Sequence, residues 1–200
     1  MKQEIYSKNA YHHFLLKFKL PFVSNYVQFS LQLFPTMEKA AGISNRTEDG
    51  HYVVFLDYDE IGIVEIENEL TRIQNDFDLG NFYIFSLDRP DSFHAICCTK
   101  LTAKVCQEVI NESGADQAFK QAPKYFHRNR WILRVGPKGQ RNPPKYEKTI
   151  LRACMRPESV GHLLFLKNWY NAPIPVADNN PNNEKVQLLR YETFNRVKHG

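Results

Sequence analysis

The chain has 200 residues, which suffices for one domain with extensions, and 42% of them are hydrophobic, which excludes a disordered chain. Its net charge of +4 is unevenly distributed: eleven of the 26 Lys and Arg residues, but only one acid, lie between Lys120 and Arg156, which leaves fifteen bases and 21 acids elsewhere. No apolar run is long enough to span a bilayer, and the N-terminal residues lack the pattern of a signal peptide, so we expect a cytoplasmic protein without a membrane partner.

Residues 1–50 precede the clearest pattern of the chain. Apolar and aromatic residues in this region have helical spacing in places, notably Tyr26, Phe29 and Leu33, and Pro21 and Pro35 interrupt it. We therefore expect a helical N-terminal extension that packs on the core.

Residues 51–140 alternate between strand and helix patterns. The predicted elements are a strand at Tyr52–Asp59, a helix at Ile63–Phe77, strands at Phe82–Leu87 and Phe93–Cys98, a helix from Thr102 to about Ser113, and a strand at Trp131–Val135. This order predicts an α+β domain with an RRM-like, or ferredoxin-like, βαββαβ core, whose helices cover one face of an antiparallel sheet. In that topology the first strand lies between the third and the fourth, and the other face of the sheet is open.

Residues 141–200 are expected to complete the same domain. They begin with a basic linker that contains prolines, and a helix then opens at Pro157-Glu158 and extends to Trp169. After a loop rich in Asn and Pro, a final strand is predicted at Val186–Phe194.

Two acids lie one residue apart at the end of the first core strand. Asp57 and Asp59 share one face of that strand, because residues i and i+2 point the same way. Two carboxylates this close repel each other unless a cation lies between them, and Mg²⁺ or Mn²⁺ selects oxygen ligands of this kind. The predicted strand order adds His94 from the third strand and Arg134 from the fourth to the same open face.

These residues resemble the motifs of a known family. Phe55–Asp59, an apolar-Asp-x-Asp string, resembles the first motif of the archaeo-eukaryotic primase superfamily, and Ser92–His94 is similar to its second motif, small-x-His. The resemblance implies a primase-polymerase-like nucleotidyltransferase that acts in DNA replication of a mobile element or small genome. It implies catalytic roles for Asp57, Asp59 and His94, with Mg²⁺ or Mn²⁺ on the two acids and the phosphates of a nucleoside triphosphate at the His.

Fixed positive charge would complete the predicted phosphate site. Phosphoryl transfer needs little covalent chemistry and requires mainly metal and cationic groups around the phosphates. The predicted nucleotide-binding residues are Ser92, His94, Arg134 and Lys138. The surplus of bases between residues 120 and 156 predicts contacts with a DNA or RNA strand, made by Arg128, Arg130, Arg141 and Lys145.

The third motif of the superfamily, an apolar residue followed by an acid, is not found. The last core strand carries Arg134 at this place, and Asp116 could supply a carboxylate from the preceding loop. One alternative is therefore a non-catalytic RRM-like protein that binds nucleic acid on the open face without metal. Another is a metal-dependent replication-initiator nuclease. Its site requires two His residues that are one residue apart on a strand, and the segment Phe93–Ile96 contains only one His.

Overall fold

The computed structural model describes the backbone of residues 12–19, 26–33, 37–125, 129–137, 141–175 and 184–194, and the side chains of residues 41–124, 129–137, 141–175 and 184–187. Within these ranges the chain is an α+β protein with antiparallel sheets and four helices. Its contacts divide it into two compact units. The strands β1 (His12–Lys19) and β2 (Tyr26–Leu33), which pair antiparallel, belong to the first unit, and Lys39–Tyr191 form the second.

The remaining elements follow the order of the chain. They are β3 (Met37–Ser44), β4 (Tyr52–Asp59), α1 (Ile63–Phe77), β5 (Phe82–Ser86), β6 (Ser92–Leu101), α2 (Ala103–Glu112), α3 (Gln117–Tyr125), β7 (Ile132–Arg134), β8 (Lys145–Ile150), α4 (Val160–Tyr170) and β9 (Leu188–Phe194). Four strands form a sheet in the order β4-β6-β5-β8, and three form a smaller sheet in the order β7-β3-β9. None of the four helices described here is long and apolar enough to cross a membrane.

The pairing of β4 with β6 confirms that the first and third core strands are neighbours. The two strands run antiparallel, and Asp57 lies opposite His94. The apolar residues of β4 from Val53 to Leu56 are fully buried. A continuous apolar run, rather than an alternating one, is what a strand covered on both faces requires. The two acids that end the strand, Asp57 and Asp59, are partly exposed, whereas Tyr58 between them is fully buried.

Helices lie on both faces of the four-stranded sheet. On one face, the Tyr58 hydroxyl donates a hydrogen bond of 2.7 Å to Glu69 of α1. On the other, the ring of Phe55 meets the imidazole of His162 on α4, with 5.9 Å between the ring centroids. The face that the sequence predicts to be open is thus partly covered by α4. This cover comes from the C-terminal extension and not from the two core helices, α1 and α2. The expectation that the second face is open is wrong where α4 packs its aromatic and aliphatic residues on it.

The prediction of a helical extension over residues 1–50 is wrong for the part that the structure describes. That part contains β1, β2 and β3. In β2 the apolar residues Val27, Phe29, Leu31 and Leu33 alternate with Gln28, Ser30 and Gln32, and this period of two is typical of a strand. The helical spacing of Tyr26, Phe29 and Leu33 is a weaker signal than this alternation, and the segment forms a strand.

Two further expectations are corrected in the second unit. The strand that carries Arg134, β7, pairs with β3 in the register Gly42 to Arg134 rather than lying in the sheet of β4. The basic linker predicted after residue 140 contains β8, which pairs with β5. The boundaries of α1 coincide with the prediction, and α2 begins after Thr102, whose side chain accepts a hydrogen bond from the Val105 N–H as an N-cap.

Replacing Phe55 by Ala is expected to lower the free energy of unfolding by about 3–5 kcal/mol, because the fully buried ring fills the space between β4 and α4 and its loss leaves a cavity. Urea denaturation followed by circular dichroism measures this loss. Val64→Ala, at a position 68% exposed on α1, is the control and should change stability by about 0.5 kcal/mol or less. A loss below about 1 kcal/mol for Phe55→Ala would contradict the packing of α4 on this face.

Candidate functional site

A row of four side chains crosses one face of the sheet. Tyr146 on β8 lies opposite Phe85 on β5, Phe85 opposite His94 on β6, and His94 opposite Asp57 on β4. The apolar half of this row is covered by Tyr170 of α4, whose ring centroid lies 4.6 Å from that of Phe85. The polar half ends at the acids of β4. The predicted proximity of Asp57 and His94 is therefore confirmed.

The carboxyl group of Asp57, in this row, has a strongly raised pKa. Its Oδ1 is buried and has no hydrogen-bond partner among the described residues, although 29% of the side chain is exposed through its other atoms. Burial first, and then the charges of Asp59 and Asp116, raise the pKa of its carboxyl to about 7, against the smaller opposing effect of Arg89 and Arg134. The site thus holds a carboxyl group whose ionised form is disfavoured and whose buried oxygen lacks a hydrogen-bond partner among the described residues.

His94 is neutral at physiological pH. Burial lowers the pKa of its imidazole to about 3, and the positive charges of Arg134 and Arg89 act in the same direction. Its Nε2 lies 3.5 Å from Oδ1 of Asp57, at the limit of a hydrogen bond. Because the imidazole carries no charge, this contact is not an ion pair. A neutral imidazole keeps one N–H to donate and one lone pair to offer.

A third carboxylate comes from the loop before α3. The backbone N–H of Asp116 donates a 2.7 Å hydrogen bond to the backbone oxygen of Asp57. Its own Oδ1 accepts hydrogen bonds from the N–H groups of Ala118 and Phe119, at 2.8 and 3.1 Å, and so caps α3. The last core strand carries Arg134 in place of an acid, but this loop brings an acid to the same site.

Hydrogen bonds from α1 hold this loop and the acid pair together. Oε1 of Glu69 accepts the Tyr58 hydroxyl at 2.7 Å and the Gly114 N–H at 2.8 Å. A Cβ atom at Gly114 would lie 2.5 Å from Oε2 of the same carboxylate, so a side chain there would displace it. Since Tyr58 stands between Asp57 and Asp59 in β4, Glu69 links the acid pair to the loop that carries the third acid.

Two arginines bring positive charge to the acids. Nη2 of Arg89 lies 2.5 Å from Oδ1 of Asp59. Nη1 of Arg134 donates to the backbone oxygens of Gly136 and Asn142, at 3.0 and 2.9 Å. Arg134 belongs to the smaller sheet, but its charge acts on both Asp57 and His94. Sequence reasoning missed Arg89; the available signal was a base within the turn that joins the two motif-bearing strands.

The other predicted site residues are only partly brought together. Ser92 is buried opposite Asp59, and its hydroxyl donates to the Pro90 oxygen at 3.3 Å. Arg130 donates to Oε1 of Gln187 at 2.5 Å. Two further predicted nucleic-acid contacts, Arg141 and Lys145, have exposed side chains. The predicted nucleic-acid contact Arg128 and the predicted nucleotide-binding residue Lys138 lie outside the described residues.

The chemistry of the donors fits a hard divalent cation. The acids supply carboxylate oxygens, and Oδ1 of Asp57 lacks a hydrogen-bond partner among the described residues. In the part of the chain with described side chains, no group of three or more His, Cys, Asp or Glu residues is arranged as a metal cage. Mg²⁺ does not require such a cage, because it is commonly held by one or two carboxylates together with waters and substrate phosphates.

Comparisons of the chain with protein-family models, with curated proteins and with solved structures found no match.

Replacing Asp57 by Asn is expected to remove the part of the pH dependence of folding stability that comes from the Asp57 carboxyl. The measurement is made in buffer with a chelator, so that no metal binds the acids. The raised pKa means that the folded protein binds this proton more tightly than the unfolded chain. This contribution is complete below about pH 4 and is lost as the pH rises to about 7. Between pH 4 and 8, Asp57→Asn should therefore gain on the order of 2–4 kcal/mol in unfolding free energy relative to the unmodified chain.

Urea denaturation at pH 4, 6 and 8 measures this difference. Asp76→Asn, at an exposed position of α1, is the matched control and should follow the unmodified chain at each pH. Parallel stability curves for Asp57→Asn and the unmodified chain would contradict the burial of the Asp57 charge.

Proposed function

We propose that the site at the ends of β4 and β6 binds the triphosphate of a nucleotide together with Mg²⁺ or Mn²⁺, and that the protein is a primase-polymerase-like nucleotidyltransferase. The substrates would be nucleoside triphosphates and a nucleic-acid strand, in DNA replication of a mobile element or small genome and in the cytoplasm. The observation that carries the proposal is the unpartnered Oδ1 of Asp57, which lies beside His94 and is acted on by the charges of Asp59 and Asp116.

Crowding of the acids supports the cation. The charges of two carboxylates, Asp59 and Asp116, add to the effect of burial in raising the pKa of Asp57, and a positive charge would relieve this arrangement. A divalent cation held by Asp57 and Asp59 would supply the charge that neutralises the phosphates and the developing charge of the transfer. Asp116 would act on this site through its charge while its Oδ1 caps α3.

The remaining groups suit the phosphates. His94 is neutral, so it can donate its imidazole N–H to a phosphate oxygen without competing with a metal for the acids. Arg134 supplies a fixed positive charge whose position is set by two backbone carbonyls. Because such groups are oriented before the substrate binds, they stabilise the charge of the transition state without reorganisation.

The finer fold that we propose is an RRM-like core made of β4, α1, β5, β6, α2 and β7. The order β4-β6-β5 supports it, since an RRM-like sheet places its first, third and second strands in this order. The pairing of β7 with β3 is a departure from that core, and β8 extends the sheet on the side of β5.

A second candidate is a non-catalytic protein that binds nucleic acid on the same core. The ion pair between Arg89 and Asp59 favours it, because Arg89 supplies within the chain the positive charge that a metal would bring. Such a protein would bind oligonucleotides with a steep dependence on salt and no dependence on metal.

Asp57→Ala and Asp59→Ala are each expected to lower metal-dependent nucleotide incorporation by at least about 100-fold, because the loss of one metal-binding carboxylate removes several kcal/mol of transition-state stabilisation. Incorporation of labelled nucleotides on primed and unprimed single strands with Mg²⁺ or Mn²⁺ measures it. Asp76→Ala is the control and should retain activity. Unchanged synthesis by both site variants would contradict the proposed reaction. If the unmodified chain binds oligonucleotides but shows no synthesis, the second candidate is favoured.

Asp116→Asn is expected to weaken Mn²⁺ binding roughly fivefold, which corresponds to about 1 kcal/mol for one nearby charge. Asn caps a helix as well as Asp does, so this variant removes the charge and keeps the start of α3. Titration of the protein with Mn²⁺, followed by the paramagnetic resonance of the free ion, measures the affinity. An affinity equal to that of the unmodified chain, with Asp57→Asn as the weakened reference, would remove Asp116 from the site.

A further inference from the structure

A groove of about 430 Å³ lies along α4. Its walls include Phe165, Asn168 and Trp169 from the helix and Lys185 and Val186 from the segment that precedes β9. The spacing of the helical residues, three and four apart, places them on one face of α4. The groove belongs wholly to the second unit of the chain.

The groove presents an exposed and oriented aromatic ring. Trp169 is 50% exposed, and its ring lies nearly parallel to that of Phe165, with 5.5 Å between the centroids and 17° between the planes. Its indole N–H donates to the Val135 oxygen at 3.2 Å. An indole held on one face by a second ring and at its edge by a hydrogen bond has lost its freedom before any ligand binds, and its outer face remains available to stack.

The charge of the groove favours an anion. Lys185 is exposed in its wall, and none of the residues that line it is an acid. The nearest acid in sequence, Glu184, is engaged by Lys100 in an ion pair and by the N–H of Gly161 at 3.3 Å. Arg130, which precedes β7, donates a hydrogen bond to Gln187, the residue that follows the groove residue Val186. A flat apolar ring beside fixed positive charge is complementary to a nucleobase and its phosphate.

We propose that this groove binds one base of a single-stranded nucleic acid by stacking on Trp169, with the adjoining phosphate at Lys185. The class of partner rests on the proposed function, whereas the groove and its ring do not depend on catalysis. The Trp169 indole bonds to Val135, the neighbour of Arg134, so a strand in the groove would run towards the cationic side of the acid site. The groove therefore serves the strand rather than the incoming nucleotide.

The two tryptophans of the chain allow a direct test. Trp131 is 4% exposed, so collisional quenching by acrylamide reports mainly on Trp169. In metal-free buffer at low salt, saturation of the full chain with oligothymidylate is expected to quench tryptophan fluorescence and to protect it from acrylamide. Unchanged acrylamide quenching at saturation would overturn the proposal without the use of any variant.

Substitutions then measure the contribution of the ring. Trp169→Ala should weaken oligothymidylate binding by roughly 5- to 150-fold, the range that corresponds to the loss of one stacked base. Trp169→Phe retains a stacking ring and should stay within about threefold of the unmodified chain. Lys185→Ala should weaken binding and reduce the salt slope by about one counterion. Equal affinity of Trp169→Ala and the unmodified chain would overturn the proposal.

Failure of this proposal and failure of the proposed function can be told apart. Asp57→Ala should lose synthesis, which tests the proposed function, and should keep oligothymidylate binding, which tests the groove. Oligothymidylate binding that depends on Trp169 would support the groove even if the unmodified chain shows no synthesis. Sedimentation of the same variants tests another occupant: a dimer that Trp169→Ala converts to monomers, with unchanged oligothymidylate affinity, would assign the groove to a second copy of the chain and overturn the proposal.

Discussion

The antiparallel register of β4 and β6 is the constraint on which the rest of this site depends. Side chains alternate between the two faces of a sheet, so a shift of one residue would send Asp57 to the face of α1 and bring Tyr58 opposite His94. The apolar residues that precede the acids prevent this shift, because Phe55 packs against α4 and Leu56 lies buried on the opposite face. The hydrophobic core therefore fixes the position of the polar site.

The electrostatics of the site follow from that position. A carboxylate at the margin of a buried sheet loses water, and the raised pKa of Asp57 is the consequence. The same burial acts on His94 in the opposite sense, since desolvation disfavours the charged form of either group. An acid and a base that face each other would ordinarily form an ion pair. Here burial, assisted by the two arginines, keeps the imidazole neutral, and burial, assisted by the neighbouring acids, opposes ionisation of Asp57, so the two groups face each other without forming an ion pair.

Much of the core could be predicted from the sequence, and the failures have physical causes. β4, α1, β5, β6 and α2 carry strong hydrophobic periodicity and clear breaks, and their alternation predicts that β4 and β6 are neighbours. The position of Arg134 could not be predicted, because its strand pairs with β3, which was expected to be part of a helix. Helix α3 contains Pro123, a residue that interrupts helical patterns, and the basic and polar composition of β8 hides the strand pattern. Asp116 and Arg89 reach the site from loops, whose paths depend on tertiary contacts such as the one between Glu69 and Gly114.

The cover provided by α4 changes how a nucleic acid could bind to this protein. An RRM-type sheet binds bases on aromatic side chains of its open face. The corresponding rings here, Phe55 and Phe85, are buried under His162 and Tyr170. A strand of nucleic acid therefore has no access to them, and any base stacking must use rings outside the sheet. Among the described residues α4 itself carries the most exposed aromatic ring, Trp169, so the helix that covers the rings of the sheet also presents an exposed ring of its own. In the proposed function the phosphates bind at the partly exposed acids that end β4, so the place proposed for phosphate chemistry is separate from the place proposed for base contacts.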